Sequence, residues 1–284
     1  MADVRRWHII NRLIRHLGYS NYLEIGVRDP RDNFRRVIAP HKDGVDPDPL
    51  GPCRFQMTSD SFFENIQPGR NFVYDVVLID GLHLEEQVIR DIENSLKWLA
   101  PGGTIVLHDC NPLTEAAQVE EYRHNTLWNG TVWKAWAKLR ATRTDLFMLT
   151  VDADHGVGVI QRGKQDVFGI GSNQVLDFDF LDRNRSELLN LVSPVEFFKG
   201  LDELPAARAA GRARRARRAI VNRVFHRILG LPRLLGLRRL PPRIVAREPR
   251  VRRLLVPISE SVPRGTLVGI GAAMGTRERH RPRA

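Results

Sequence analysis

The run from Asp75 to Asn111, DVVLIDGLHLEEQVIRDIENSLKWLAPGGTIVLHDCN, constrains the fold more than any other part of this chain. Two short apolar stretches flank a segment in which Leu84, Val88, Ile92, Leu96 and Leu99 recur every three or four residues, with Glu85, Arg90 and Glu93 facing away. That spacing predicts an amphipathic helix, which Pro101, Gly102 and Gly103 are expected to end before TIVLHD forms the next strand. A strand, helix, strand unit of this length calls for parallel pairing and a right-handed crossover. In such sheets ligands lie outside the carboxyl ends of the strands. Asp80, His83, His108 and Asp109 stand where the apolar runs stop, so they mark the expected site.

The same alternation is legible on both sides of this unit. Val4, Ile9 or Ile10, Leu13 and Leu17 share one helical face ending at Gly18, suited to a left-handed cap. NYLEIGV then reads as a buried strand, a helical stretch is expected near Phe34 to Ile38, and GVDPDP ends a second strand in acids. FQMTSDSFF is a third strand-to-helix junction, with Ser59 or Asp60 placed to cap. WNGTVWKAWAKLR predicts a helix, and LFMLTV with GVGVIQR predicts a closing hairpin around a polar turn, Asp152 to His155. The expected architecture is α/β: a Rossmann-like, doubly wound, mostly parallel sheet closed by an antiparallel hairpin over residues 1–165. A helical extension follows over 166–204, with helices expected near Ser186 to Leu191 and Pro194 to Leu201, then an Arg-rich tail over 205–284.

Charge separates that tail from the rest. Residues 206–284 hold 21 arginines, no lysine and three acids, a net of +18, whereas residues 1–205 carry 23 basic and 30 acidic side chains, a net of −7. The folded part is therefore no basic nucleic-acid groove, and the overall +11 belongs to the tail. Ala219 to Leu229 inside it has the pattern of a basic amphipathic helix; the tail as a whole reads as a solvated or disordered segment, with adhesion to an anionic membrane surface or a nucleic acid as the lesser alternative. Two cysteines, Cys53 and Cys110, make no disulfide framework. The N-terminal stretch is broken by Arg and Asn as neither a signal core nor a membrane span is, so a cytoplasmic protein, peripheral at the membrane if the tail binds lipid, is the expectation.

In the first half, Glu24 ends a strand, Gly26 allows close passage of a ligand, and Asp46 ends the next strand, where an acid can accept from both ribose hydroxyls. The glycine-rich dinucleotide fingerprint is missing: Arg28 and Pro30 stand where further glycines would be, which disfavours a nicotinamide-dependent oxidoreductase. An adenosine cofactor without a diphosphate fits better. YLEIGV, GVDPDP, MTSDSFF, DVVLIDGLH, LAPGGTIVLHDCNP and the final GVGVI strand, in that order, resemble the class I S-adenosylmethionine-dependent methyltransferases over about residues 20–165. The likeness is strongest to the bacterial group with I-D-G-x-H followed past a helix by P-G-G-x-I-x-x-H-D. It implies S-adenosylmethionine as cofactor, Glu24 and Gly26 on its methionine side, Asp46 at the ribose, Ser59 and Asp60 at the adenine, and Asp80 among the cofactor contacts.

The remaining polar residues suit methyl transfer to oxygen, which needs alignment and a deprotonated acceptor. Asp80 and Asp109 end neighbouring strands and are placed to share one Mg²⁺ or another divalent cation, with His108 the second-choice ligand. The ion would acidify and orient a hydroxyl. His83, three residues after Asp80, is placed to take its proton, an arrangement similar to that of catechol-type O-methyltransferases. The expected function is an O-methyltransferase on a small or glycan-like hydroxyl acceptor, with a metal-independent or N-methyltransferase as the rival. A catalytically degenerate scaffold whose basic tail does the binding is the alternative of another class. Capping by Asp80 and Asp109 is the bland reading of each alone. Trp128, Trp133 and Trp136 line an acceptor pocket or, at helical spacing, belong to the core. Asp152, Asp154 and His155 read as a polar turn far from the site.

Overall fold

The computed structural model describes residues 3–70, 72–122 and 126–202. The Arg-rich tail and the basic helix expected at Ala219 to Leu229 lie outside the described residues. Seven strands form one sheet in the order β2-β1-β3-β4-β6-β5-β7. Strands β1 (Asn21–Ile25), β2 (His41–Val45), β3 (Tyr74–Ile79) and β4 (Leu99–Leu107) pair in parallel. β5 (Leu146–Val151) and β6 (Val157–Arg162) form the antiparallel hairpin, with β6 beside β4. A short β7 (Leu191–Val192) adds a parallel edge next to β5. Phe55 makes a single parallel bridge to Val45, all that forms of the strand expected at FQMTSDSFF.

Helices cover both faces, which is why β3, β5 and β6 are apolar almost without interruption rather than alternating. On one face, Ile9, Ile10, Leu13 and Leu17 of α1 (Arg6–Leu17) pack with Tyr22, Leu78 and Val106. Phe197 and Leu201 of α7 (Pro194–Asp202) join them. On the other face, Leu23, Ile79 and Leu107 meet Val88, Ile92 and Leu96 of α4 (Glu85–Lys97) and Trp133 and Trp136 of α5 (Val132–Thr142). Leu181 and Leu188 of α6 (Phe178–Leu189) complete that cluster, so the extension beyond residue 165 packs into both cores. Trp133 and Trp136 are fully buried and thus core, as their spacing allowed. Among the described residues no helix is long and apolar enough to cross a membrane.

Several boundaries differ from the sequence expectation. The stretch near Phe34 forms only a 3-10 turn, Phe34–Arg36, because Val37 is buried against α1 and Pro40 precedes β2. α4 ends at Lys97 and Leu99 already pairs with Tyr74, so Pro101, Gly102 and Gly103 form a bulge inside β4 instead of ending the helix. Gly102 adopts φ 79 there, and a side chain on Gly103 would collide with the Asp75 carbonyl. Thr58, not Ser59 or Asp60, caps the third junction, accepting from the Ser61 amide at 3.2 Å. α2 (Ser59–Ser61) continues through a π-helical turn, Phe62–Ile66, into α3 (Gln67–Arg70). The helix expected near Ser186 starts earlier, at the Asp177 cap, and stops at left-handed Asn190, which frees Leu191 for β7.

Candidate functional site

Strand alternation builds the site. Leu23, Ile25, Ile79 and Leu107 face the α4 and α5 side, so Glu24, Asp80 and His108 fall on the α1 side at the carboxyl ends of three adjacent strands. The ladder continues past the strands, with the Asp80 amide donating to the Ile25 carbonyl and the His108 amide to the Ile79 carbonyl. Asp109 should then face away from His108, but it takes a left-handed backbone, φ 62, and the alternation breaks. His108 Nδ1 consequently lies 3.1 Å from Asp80 Oδ1 and 2.9 Å from Asp109 Oδ2.

His83 completes the group. Its Nε2 lies 3.3 Å from Asp80 Oδ1, and its Nδ1 is 3.3 Å from Asp109 Oδ2 without the alignment of a hydrogen bond. One ligand atom from each of Asp80, His83 and Asp109 lies within 4.8 Å of the others, a grouping able to hold a cation. His108 stands beside this trio, its Nε2 directed at Asp154 Oδ2 at 3.4 Å. Asn129 fixes the other oxygen of Asp109 at 2.8 Å, and the Trp128 ring stacks on His83 with centroids 4.9 Å apart and planes 17° apart.

Three members of the site escaped the sequence reading. Arg6, at the start of α1, places Nε 3.1 Å from Asp80 Oδ2 and Nη1 3.1 Å from Asp154 Oδ2. Asp154 is not a remote polar turn: its side chain is 1% exposed and takes both Arg5 and Arg6. The third is Asn129, whose only sequence signal is the Asn-Gly pair inside WNGTVWK. Arg6 and Asp154 reach the site from positions 148 residues apart, and nothing local in sequence announces such a contact. Asp154, His155 and Gly156 adopt positive φ in succession, which turns the hairpin so that the Asn111 amide donates to the His155 carbonyl. Of the five non-glycine residues with positive φ among the described residues, Arg28, Asp109, Asp154 and His155 lie in loops at these strand ends; backbone strain of this kind gathers where geometry matters.

The charges are strongly coupled. Burial works to raise the Asp80 carboxyl, but His108, Arg6 and the hydrogen bonds from both histidines outweigh it and hold it well below the usual carboxylate range. Burial works to lower His83 and His108, yet the surrounding carboxylates raise both above an ordinary imidazole.

Glu24 behaves oppositely. Buried to 1% exposure, with Oε2 accepting from the Tyr22 hydroxyl and, at 2.8 Å, the Asn33 amide, its carboxyl is pushed up to about 7 by burial. An unfolded glutamate titrates near 4.3, so the folded state holds this proton more tightly. Its contribution to stability is complete below about pH 4 and is lost as pH rises through about 7, a swing on the order of 3 kcal/mol. The urea midpoint of the apoprotein should therefore fall between pH 5.5 and pH 8, and Glu24→Gln should remove much of that fall. An unchanged slope in the variant would show that Glu24 is not its source.

On the side expected to take the cofactor, Gly26 adopts φ 85 and a Cβ there would stand 2.2 Å from the Asp80 carbonyl oxygen. Asp46 accepts from the Arg28 amide at 2.7 Å and the Asp48 amide at 2.8 Å, one bond to each oxygen, leaving further lone pairs on both. Arg28 keeps a left-handed backbone, φ 41, where a glycine would be unstrained. Ser59 and Asp60, released from capping, both lie 3.2 Å from Gln87 Nε2.

Residues 14–110 match the sequence profile of a family described as a methyltransferase domain. Over that third of the chain the similarity is to a methyltransferase. The profile spans β1 to β4 and includes Glu24, Gly26, Asp46, Asp80, His83 and Asp109. A protein of Sinorhizobium fredii, uncharacterized protein y4gI, is 27% identical over 138 residues, 49% of this chain; this chain spans only 12% of that relative's length. Solved structures similar to it include an O-methyltransferase from Bacillus cereus in complex with S-adenosylhomocysteine, at 16% identity and TM-score 0.39 over 56% of this chain and 80% of that one. Another is the O-methyltransferase TomG from Streptomyces achromogenes in complex with S-adenosylmethionine, at 13% identity and TM-score 0.42 over 55% and 79%. Likeness at that level says nothing of chemistry.

Proposed function

We propose that this domain transfers a methyl group from S-adenosylmethionine to a hydroxyl of a small or glycan-like acceptor, with a divalent cation such as Mg²⁺ assisting. The observation that carries this is the convergence of Asp80, His83 and Asp109 within 4.8 Å at two strand ends, next to the close approach that only Gly26 permits. The carboxylates of Asp80 and Asp109 are suited to a hard cation, with His108 as the further ligand, and His83 Nδ1, buried without a hydrogen-bond partner among the described residues, keeps its lone pair for a proton. On the nucleoside side, Asp46 has lone pairs left for the ribose hydroxyls, with Ser59 and Asp60 beside the adenine. Glu24, through Asn33, holds the loop that follows Gly26.

Bound cofactor supplies a methyl on a cationic sulfonium, and a bound divalent ion supplies orientation and acidity to the acceptor hydroxyl. The residues do the rest. With Nε2–H donated to Asp80, His83 is left with Nδ1 to take the acceptor proton, and the proton gained there faces Asp109 Oδ2 at 3.3 Å. The acceptor oxygen bonds to the methyl carbon as the carbon–sulfur bond breaks, leaving a neutral thioether. Asn129 and His108 hold the two carboxylates in register.

Calorimetry with S-adenosylhomocysteine, followed by methyl-transfer assays after EDTA and after added Mg²⁺, tests the reading. Binding of NAD in its place would defeat it, whereas turnover untouched by EDTA would remove the ion and leave the methyltransferase.

The acceptor side is apolar. Trp128 spends its indole N–H on the Val119 carbonyl at 2.7 Å, so only ring surface remains for a ligand, and Tyr122 stands edge-on to it at 5.3 Å. Stacking of this kind suits a sugar face or an aromatic ring. Trp128→Ala should raise the acceptor KM about tenfold while leaving S-adenosylhomocysteine affinity unchanged. An equal loss of cofactor affinity would move Trp128 out of the acceptor pocket.

A further inference from the structure

Arg6 is the cation that the cofactor reading has not used. The strand ends gather four acids, Glu24, Asp80, Asp109 and Asp154, while the methionine end of S-adenosylmethionine carries both an ammonium and a carboxylate. The ammonium has acids to choose from; the carboxylate needs a cation. Among the described residues, the arginines paired to this acidic group are Arg5 and Arg6. Arg5 is half exposed and its guanidinium is shared between Asp3 and Asp154. Arg6 is 19% exposed and anchored at both ends, its backbone amide donating to Asp154 Oδ2 at 2.9 Å and its Nη1 reaching the same oxygen at 3.1 Å. Its Nε faces Asp80 Oδ2 at 3.1 Å and is buried without a hydrogen-bond partner among the described residues, while its Nη1 also stands 3.4 Å from His108 Nε2. A guanidinium has five donors in a planar fork that matches a carboxylate. The fork also lies on the right strand ends: it touches Asp80, whose own carbonyl is the atom that Gly26 approaches.

We propose that Arg6 receives the α-carboxylate of the bound cofactor, with Asp154 holding the guanidinium in place. This rests on the reading that S-adenosylmethionine binds here. It makes the start of α1, outside the residues matched to the family profile, a part of the cofactor site.

The test compares S-adenosylhomocysteine with its decarboxylated analogue, S-adenosyl-3-thiopropylamine, by calorimetry on the full chain. Wild-type protein should bind the intact ligand about 10- to 100-fold more tightly, the range of a charge-assisted pair. Arg6→Met should bind the two about equally, having lost affinity for the intact ligand only. Arg6→Lys should keep most of the preference. Arg6→Gln, which still donates to Asp154, replaces Arg6→Met if that variant does not fold. Equal binding of the two ligands by wild type, or an undiminished preference in Arg6→Met or Arg6→Gln, overturns the assignment and leaves the cofactor reading standing. Failure of wild type to bind either ligand overturns both.

Discussion

Asp80→Asn should lower kcat by at least about 10²-fold and weaken Mg²⁺ binding by at least about tenfold, because one carboxylate faces three partners at once. Oδ1 lies 3.3 Å from His83 Nε2 and 3.1 Å from His108 Nδ1, and Oδ2 lies 3.1 Å from Arg6 Nε. Asparagine keeps the shape but removes the charge that opposes Arg6 and both imidazoles, and half of its end becomes a donor facing donors. The change also costs stability, about 1–3 kcal/mol, below the usual cost of stranding a buried charge because Arg6 retains Asp154. These effects separate experimentally. Urea denaturation reads the stability, a fluorescence or calorimetric Mg²⁺ titration reads the ion, and single-turnover assays with saturating cofactor read the chemistry. Near-wild-type turnover with an unaltered Mg²⁺ requirement would exclude Asp80 from the reaction and from the ion.

The fold was legible in the sequence because its information is local. β3, β5 and β6 are buried on both faces and read as continuous apolar runs, and α4 carries its stripe of Val88, Ile92 and Leu96 in plain view. Boundaries were less legible where a turn signal served another purpose: Pro101 to Gly103 looks like a helix stop, but the bulge within β4 uses the same residues. The site divides along the same line. Asp80, His83, His108 and Asp109 were visible because each follows an apolar run, and Gly26 and Asp46 for the same reason. Arg6 and Asp154 were not, since an arginine opening an amphipathic helix and an aspartate in a hairpin turn are ordinary in isolation. Only the closure of β6 against β4 brings Asp154 to His108, and only the packing of α1 across the sheet brings Arg6 to Asp80. Left-handed Asp109 belongs to this class too, because no composition rule places a non-glycine residue there.

Two glycines divide the site into separable halves, and a single methyl group at each should show it. Gly26 has φ 85, and a Cβ on it would meet the Asp80 carbonyl oxygen at 2.2 Å and the Gly81 Cα at 2.4 Å. These are backbone atoms just past the end of β3, which cannot yield without parting it from β1. Gly26→Ala should therefore cost about 3 kcal/mol or more in folding free energy and abolish S-adenosylhomocysteine binding. Gly130 has φ 58, and its Cβ would meet the His83 carbonyl oxygen at 2.1 Å and the His83 Cβ at 2.6 Å. The element that must move there is the loop carrying His83, the proposed base, which the Thr131 amide also holds through the His83 carbonyl at 2.8 Å. Displacing His83 by about 1 Å is enough to cost about 10²-fold in kcat. Glu24, Gly26 and Asp46, proposed for the cofactor, stand at the ends of β1 and β2, across β3 from β4 in the strand order, so Gly130→Ala should bind S-adenosylhomocysteine with wild-type affinity. Calorimetry and turnover on the two variants check the contrast: loss of cofactor affinity in Gly130→Ala, or full turnover by it, would mean that the position of His83 does not govern the methyl-transfer step.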